Sequence, residues 1–231
     1  MSKTKAKIKA VIFDLDNTLI DFWGAKTASI DAAINAMIAA GLKIEKKKAK
    51  NILFELYKQY GIEYLPIFQK FLLKTKGKID MRILSAGIVA YRNIQASYHK
   101  PYNGSEKTIK ALKKKGYKLG VISDAPSLKA WIRLTEIGLA DYFDVVVAYD
   151  DTKTTKPSKK PFLLALKKLK LNPENVLYVG DNPSRDIKGA KQLGMRTALA
   201  EYGMHKSFRK HLKGNKPDYV LKKPQDILKI V

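Results

Sequence analysis

Lys9-Ala10-Val11-Ile12-Phe13-Asp14-Leu15-Asp16-Asn17-Thr18-Leu19 runs from a short apolar stretch straight into two carboxylates. An apolar run of this length, rich in β-branched and aromatic residues, reads as a strand buried on both faces. In open α/β sheets, ligands bind outside the carboxyl ends of such strands. Asp14 and Asp16 therefore leave the sheet where chemistry is commonly done. Taken alone, Asp-x-Asp says little, since most copies only turn the chain. It also opens the calcium loop of an EF-hand, but that loop needs Gly at its sixth position and Glu at its twelfth. Leu19 and Ala25 stand there instead. The calcium loop is excluded, and the rest of the chain has to decide.

Upstream lies only a basic terminal stretch, Met1 to Lys7. Downstream, from about Asp21 to Tyr98, apolar residues recur at helical spacing. Ile30, Ile34, Met37 and Leu42 form one stripe, and Ile52, Leu53, Leu56 and Tyr60 a second. Tyr64 to Leu73 reads as a third helix, and Ile83, Leu84, Ile88, Tyr91 and Ile94 mark a fourth. Gly41, Gly61 and Gly77 punctuate the segment where helices should end. From Pro101 strands and helices alternate. Strands are expected at Lys118–Ser123, Val145–Val147, Val176–Val179 and Thr197–Ala200, with a short sixth at Tyr219–Leu221. Helices are expected over Ser105–Lys115, Leu128–Ile137 and Phe162–Leu169, through Ala190 to Gly194, and near the C-terminus at Asp226–Ile230. Such alternation implies right-handed βαβ units and a mainly parallel sheet. The expected fold is α/β: a Rossmann-like core from residues 1–20 and 98–231, with an all-α helical bundle, residues 21–97, inserted after the first strand.

The composition narrows the function classes. A chain of 231 residues, 45% hydrophobic, can bury a substantial core. It has no apolar run of membrane-spanning length and no signal-peptide core, so a cytoplasmic protein without membrane partners is expected. The absence of cysteine removes disulfides, thiolate nucleophiles and Cys-ligated zinc. Lys+Arg 45 against Asp+Glu 21 gives a net charge of +24. That balance raises affinity for anything anionic, although most lysines fall in helical segments where a solvated face accounts for them. No Gly-x-Gly-x-x-Gly or Walker A loop is present, which removes dinucleotide and P-loop chemistry.

Polar residues of complementary type cluster at the strand ends. The first strand offers Asp14 and Asp16, the second Ser123 and Asp124; Lys156-Pro157 follows the third, and Gly180-Asp181-Asn182-Pro183-Ser184-Arg185-Asp186 the fourth. Carboxylates suit a hard cation such as Mg²⁺, a hydroxyl with nearby N–H groups suits phosphate oxygens, and a lysine offsets the accumulated charge. In this order the four stretches resemble the motifs of the haloacid dehalogenase (HAD) superfamily, in its phosphatase branch with a helical cap inserted after the first motif. Asp14-Leu15-Asp16-Asn17-Thr18 resembles the first motif, Ser123 the second, Lys156-Pro157 the third, and Gly180-Asp181 through Asp186 the fourth.

The resemblance implies a phosphomonoester hydrolase that works through an aspartyl-phosphate. Asp14 would be the nucleophile, and Asp16 the acid that protonates the leaving oxygen and later the base that activates water. Mg²⁺ would be held by Asp14, the backbone carbonyl of Asp16 and Asp181, with Asp186 behind them. Ser123 would hold phosphate oxygens, Lys156 would bridge Asp14 and the phosphate, and Thr18 would fix the turn that aims Asp16. Asp124, where the family often has Asn, and Lys159, where it commonly has a second proline, depart from the pattern. The implied substrate is a small phosphorylated metabolite whose identity the cap would set. A phosphomutase would use the same residues; a basic nucleic-acid-binding protein without catalysis is the alternative from another class. No specific nucleic-acid partner is expected, and the sequence leaves the oligomeric state open, a homodimer included.

Overall fold

A computed structural model of the chain describes residues 6–98 and 100–231. The basic N-terminal stretch therefore lies outside the described residues except for Ala6 and Lys7. The strands are β1 (Ala10–Phe13), β2 (Lys118–Ile122), β3 (Val145–Val147), β4 (Val176–Gly180), β5 (Arg196–Ala200) and β6 (Tyr219–Leu221). They form one sheet in the order β3-β2-β1-β4-β5-β6, and every neighbouring pair is parallel. This is the Rossmann-like, doubly wound order, whose switch point lies at β1. All four residues of β1 and all five of β4 are buried, as strands covered on both faces must be.

The register brings the chemistry together. Phe13 lies opposite Val121 on β2 and Val179 on β4, and the ladder continues one step further, with the Asp14 N–H donating to the Val179 carbonyl at 2.8 Å. The loops after β1, β2 and β4 thus leave the sheet at one level. Beneath them Ile12, Ile122, Val147, Phe162, Leu166 and Tyr178 pack into a core that fixes the strand ends.

The chain divides into two compact units, Met1–Asp21 with Lys100–Val231, and Phe22–His99. The second holds α1 (Phe22–Ala39), α2 (Lys46–Tyr60), α3 (Ile67–Lys76) and α4 (Met81–Tyr98) around its own core of Ile30, Ile34, Met37, Leu53, Phe71 and Leu72. Helix α3 starts three residues later than the apolar pattern suggests. Pro66, which lacks an N–H and fits a helix start rather than an interior, stands at its N-cap. Lys26 of α1 is buried among these helices, donating to the Ile62 carbonyl at 3.0 Å and the Tyr91 hydroxyl at 2.9 Å.

The first unit adds α5 (Ser105–Lys114), α6 (Ser127–Glu136), α7 (Tyr149–Thr152), α8 (Lys159–Leu169) and α9 (Lys188–Lys191). The helix expected through Ala190 is split, with a π-turn over Pro183–Ile187 preceding the short α9. The terminal helix is a 3₁₀ segment, Pro224–Lys229, and a second one, Lys206–Gly214, has no counterpart in the apolar pattern because it buries none of its residues. No helix among the described residues is long and apolar enough to cross a membrane.

Candidate active site

Asp14 follows β1 directly and is 6% exposed. Its Oδ1 pairs with Lys156 Nζ, and the Thr18 hydroxyl donates to its Oδ2 at 3.3 Å. Thr18 thus braces Asp14, and its backbone also belongs to the turn after β1, its N–H donating to the Leu15 carbonyl at 3.4 Å. In the same turn Asn17 takes a left-handed φ of 64°, its N–H donates to the Ile20 carbonyl at 2.7 Å, and the Leu19 N–H donates to the Leu15 carbonyl at 2.9 Å. The Tyr202 hydroxyl donates to the Thr18 carbonyl at 2.9 Å. Gly203 packs so tightly on the Asn17 carbonyl that a Cβ there would lie 1.7 Å from its oxygen, so only glycine fits.

Lys156 is 4% exposed and reaches four acceptors. Besides Asp14 these are Asp186 Oδ1 at 2.7 Å, the Tyr178 hydroxyl at 3.2 Å and the Ile122 carbonyl at 3.2 Å. Burial opposes its charge, but Asp14 and Asp186 beside it win and hold the ammonium protonated well above its usual range. The cost falls on the carboxylates. Burial, with Asp186 and Asp16 nearby, raises Asp14 to about 7 despite the attraction of Lys156. Burial likewise lifts Asp181 well above the usual range, reinforced by Asp186 and Asp14.

Asp181 follows β4 directly and is 4% exposed, and its Oδ2 is buried with no hydrogen-bond partner. Asp14, Asp181 and Asp186 each present an oxygen within 4.8 Å of the other two. Three crowded, desolvated carboxylates facing one cationic lysine are short of positive charge, and oxygen donors of this kind suit a hard divalent cation. The residues present fit Mg²⁺. Against two protein donors on Asp14 and none on Asp181 Oδ2, three converge on Asp186: Lys156 and Tyr178 on Oδ1 and the Asn182 N–H on Oδ2 at 3.0 Å. The π-turn brings it there, and Gly180 makes room, since a Cβ on Gly180 would sit 2.5 Å from the Asp186 Cβ and Cγ.

Ser123 follows β2 and is 3% exposed; its Oγ accepts from the Ala125 N–H at 3.1 Å, which folds the loop after β2 back on itself. Asp124, which departs from the family pattern, is neutralised. Its Oδ1 accepts from the Lys156 N–H at 2.9 Å, and its Oδ2 pairs with Arg185. Asp16 is held by Arg133 of α6, whose Nη1 donates to Oδ2 at 2.8 Å. The structure therefore adds Tyr178, Arg185 and Arg133 to the residues that the motifs mark. Tyr178 left a trace in the sequence, a phenol in the middle of a wholly buried strand, which must find a polar partner. Arg185 lies within the fourth polar stretch but with no role marked there, and Arg133 left no trace, because the partners of both are set only by tertiary packing.

The profile of the haloacid dehalogenase-like hydrolase family matches residues 11–200, which span all four clustered stretches. The chain belongs to the haloacid dehalogenase-like hydrolases. It is 35% identical over 224 residues to the glyceraldehyde 3-phosphate phosphatase of Methanocaldococcus jannaschii, covering 97% of each chain. It is 32% identical over 229 residues to pyrophosphatase PpaX of Bacillus mycoides, again covering 97% of each. Among solved structures, the putative beta-phosphoglucomutase of Thermotoga maritima superposes with a TM-score of 0.76 at 23% identity, over 96% of this chain and 98% of that one. That last likeness bears on the fold alone.

Proposed function

We propose that this hydrolase is a Mg²⁺-dependent phosphatase of small phosphorylated metabolites, working in the cytoplasm, with a triose phosphate such as glyceraldehyde 3-phosphate the first substrate to try. The observation that carries the reading is the buried Asp14–Asp181–Asp186 cluster around Lys156, with Asp181 Oδ2 left without a partner. The similarity to the archaeal phosphatase supports the substrate class.

Asp14 is the nucleophile: its carboxylate oxygen attacks phosphorus as the bond to the ester oxygen breaks, leaving an aspartyl-phosphate. Asp16 gives its proton to the departing oxygen, then takes one from the water that attacks the phosphoryl group and frees Asp14. Lys156 holds Asp14 and meets the charge of the incoming phosphate, and Ser123 with the N–H groups after it binds phosphate oxygens. Mg²⁺ would be held by Asp14, Asp181 and the Asp16 carbonyl, where it supplies positive charge to the phosphoryl oxygens. Asp186, which accepts from Lys156, Tyr178 and the Asn182 N–H of its own turn, anchors Lys156 and the turn after β4 instead.

The test is phosphate release from a panel of sugar and triose phosphates, with Mg²⁺ and with excess EDTA. Activity should need the metal, and Asp181→Ala should abolish it in a protein that still folds. Full activity in EDTA overturns the mechanism. An isomerised rather than hydrolysed product would identify a phosphomutase.

A further inference from the structure

Helix α6 inverts the usual order of burial. Trp131 and Ile132 are 45% and 40% exposed, while Arg133 beside them is 2% exposed. Arginine is almost never fully buried unless paired, and desolvating its charge is costly. The buried guanidinium reaches across 117 residues of chain to Asp16 Oδ2 at 2.8 Å, a charge-assisted hydrogen bond. The two ends differ in exposure: the Arg133 side chain is 3% accessible and that of Asp16 is 23%. The firm end is the helix, where Ala130 and Leu134 are wholly buried. The looser end is the carboxylate, three residues beyond β1, at the turn where Asn17 takes its left-handed φ.

We propose that Arg133 is a positioning residue for Asp16, fixing from α6 the direction in which the Asp16 carboxyl is presented to the leaving group and to water. This rests on the acid/base reading of Asp16. A side chain of this length on a partly exposed turn has several rotamers, and holding one of them removes an entropic cost from the reaction. In this scheme Arg133 acts through the Asp16 carboxyl and makes no bond to phosphorus or to the leaving oxygen. Its removal should therefore damage the steps that need Asp16 and leave the others intact.

The test uses Arg133→Met, which keeps an unbranched apolar stem, and Arg133→Lys, which keeps the charge but not the planar fork. On a triose phosphate with Mg²⁺, Arg133→Met should lower kcat roughly 10- to 100-fold with KM little changed, and Arg133→Lys should recover part of the loss. On p-nitrophenyl phosphate, whose leaving group departs without a proton, the phosphoenzyme should form at nearly the wild-type rate and decay slowly. In an Asp16→Asn background, Arg133→Met should cost nothing further. Three results would overturn the proposal: kcat within about twofold of wild type, formation and decay slowed equally, or an undiminished loss on top of Asp16→Asn. The crystal structure of Arg133→Met, or of Arg133→Lys if the first does not fold, gives a reading independent of activity. A displaced Asp16 side chain supports the tether, and an unmoved one refutes it. A wild-type protein inert towards every phosphate ester would refute the phosphatase reading instead, leaving the crystal structure to decide on the tether.

Discussion

Asp14 and Asp181 are carboxylates that the fold makes reluctant to ionise, and that reluctance has a sign that can be measured. With Asp14 raised to about 7, the folded protein keeps a proton that the unfolded chain loses near pH ~4. The stability contributed by this group is greatest below the unfolded value and declines as pH rises to about 7. Asp181 is displaced in the same direction. A divalent cation binds the ionised forms, so it relieves the penalty and binds more tightly as the protons leave. Saturating Mg²⁺ should therefore raise the melting temperature more at pH 8 than at pH 5.5, as differential scanning fluorimetry with and without EDTA will show. Asp14→Asn should shrink the difference. An increment that is equal at both pH values, or larger at the acid one, contradicts this account of the cluster.

The turn after β4 is where a single backbone position governs a whole element. Gly180 must lack a Cβ for Asp186 to pack beside it and reach Lys156, Tyr178 and the Asn182 N–H. Gly180→Ala should cost about 1–3 kcal/mol in urea unfolding, as overpacked sites do, and should reduce activity by displacing the anchor of Lys156. An alanine variant as stable and active as wild type would show that the π-turn adapts freely. Elements of this kind also divide what was legible in the sequence from what was not. Val11–Phe13 and Val145–Val147 could be read because strands buried on both faces are nearly continuous in apolar residues. Asp14, Ser123 and Asp181 could be read because polar residues ending such runs fall on one edge of the sheet, whereas Lys156 stands out only through the resemblance of Lys156-Pro157 to a family motif. Helix α6 was read as a helix, but its amphipathic pattern does not say that Arg133 turns inward while Trp131 turns out. Nor does it show that Asp124 is neutralised by Arg185, residues separated in sequence and paired only by the loops after β2 and β4. The π-turn and the 3₁₀ segment Lys206–Gly214 escaped because they carry too few apolar residues to show a period.

The net charge of +24 belongs to the chain as a whole. Its lysines are spread over helix faces, many in exposed pairs such as Lys110–Glu106 and Lys76–Asp80 that add little stability. One shallow cleft, lined by Lys188, Lys191, Lys213 and Lys216, concentrates cations, without an aromatic stacking platform among its lining residues. Binding to duplex DNA or RNA should accordingly be weak, indifferent to sequence, and lost steeply as salt rises. A tight, sequence-specific complex at physiological salt, seen by fluorescence anisotropy, would favour the binding-protein alternative. The central claim is narrower: phosphoryl transfer to Asp14. Asp16→Asn should take the phosphoryl group from p-nitrophenyl phosphate and fail to pass it to water. Rapid quench with intact-protein mass spectrometry should then show about one phosphoryl group per chain in the presence of Mg²⁺. Peptide mapping should place the group on Asp14, and adding Asp14→Asn should abolish it. Steady wild-type turnover by Asp16→Asn with no adduct, or an adduct that survives Asp14→Asn, would contradict the account.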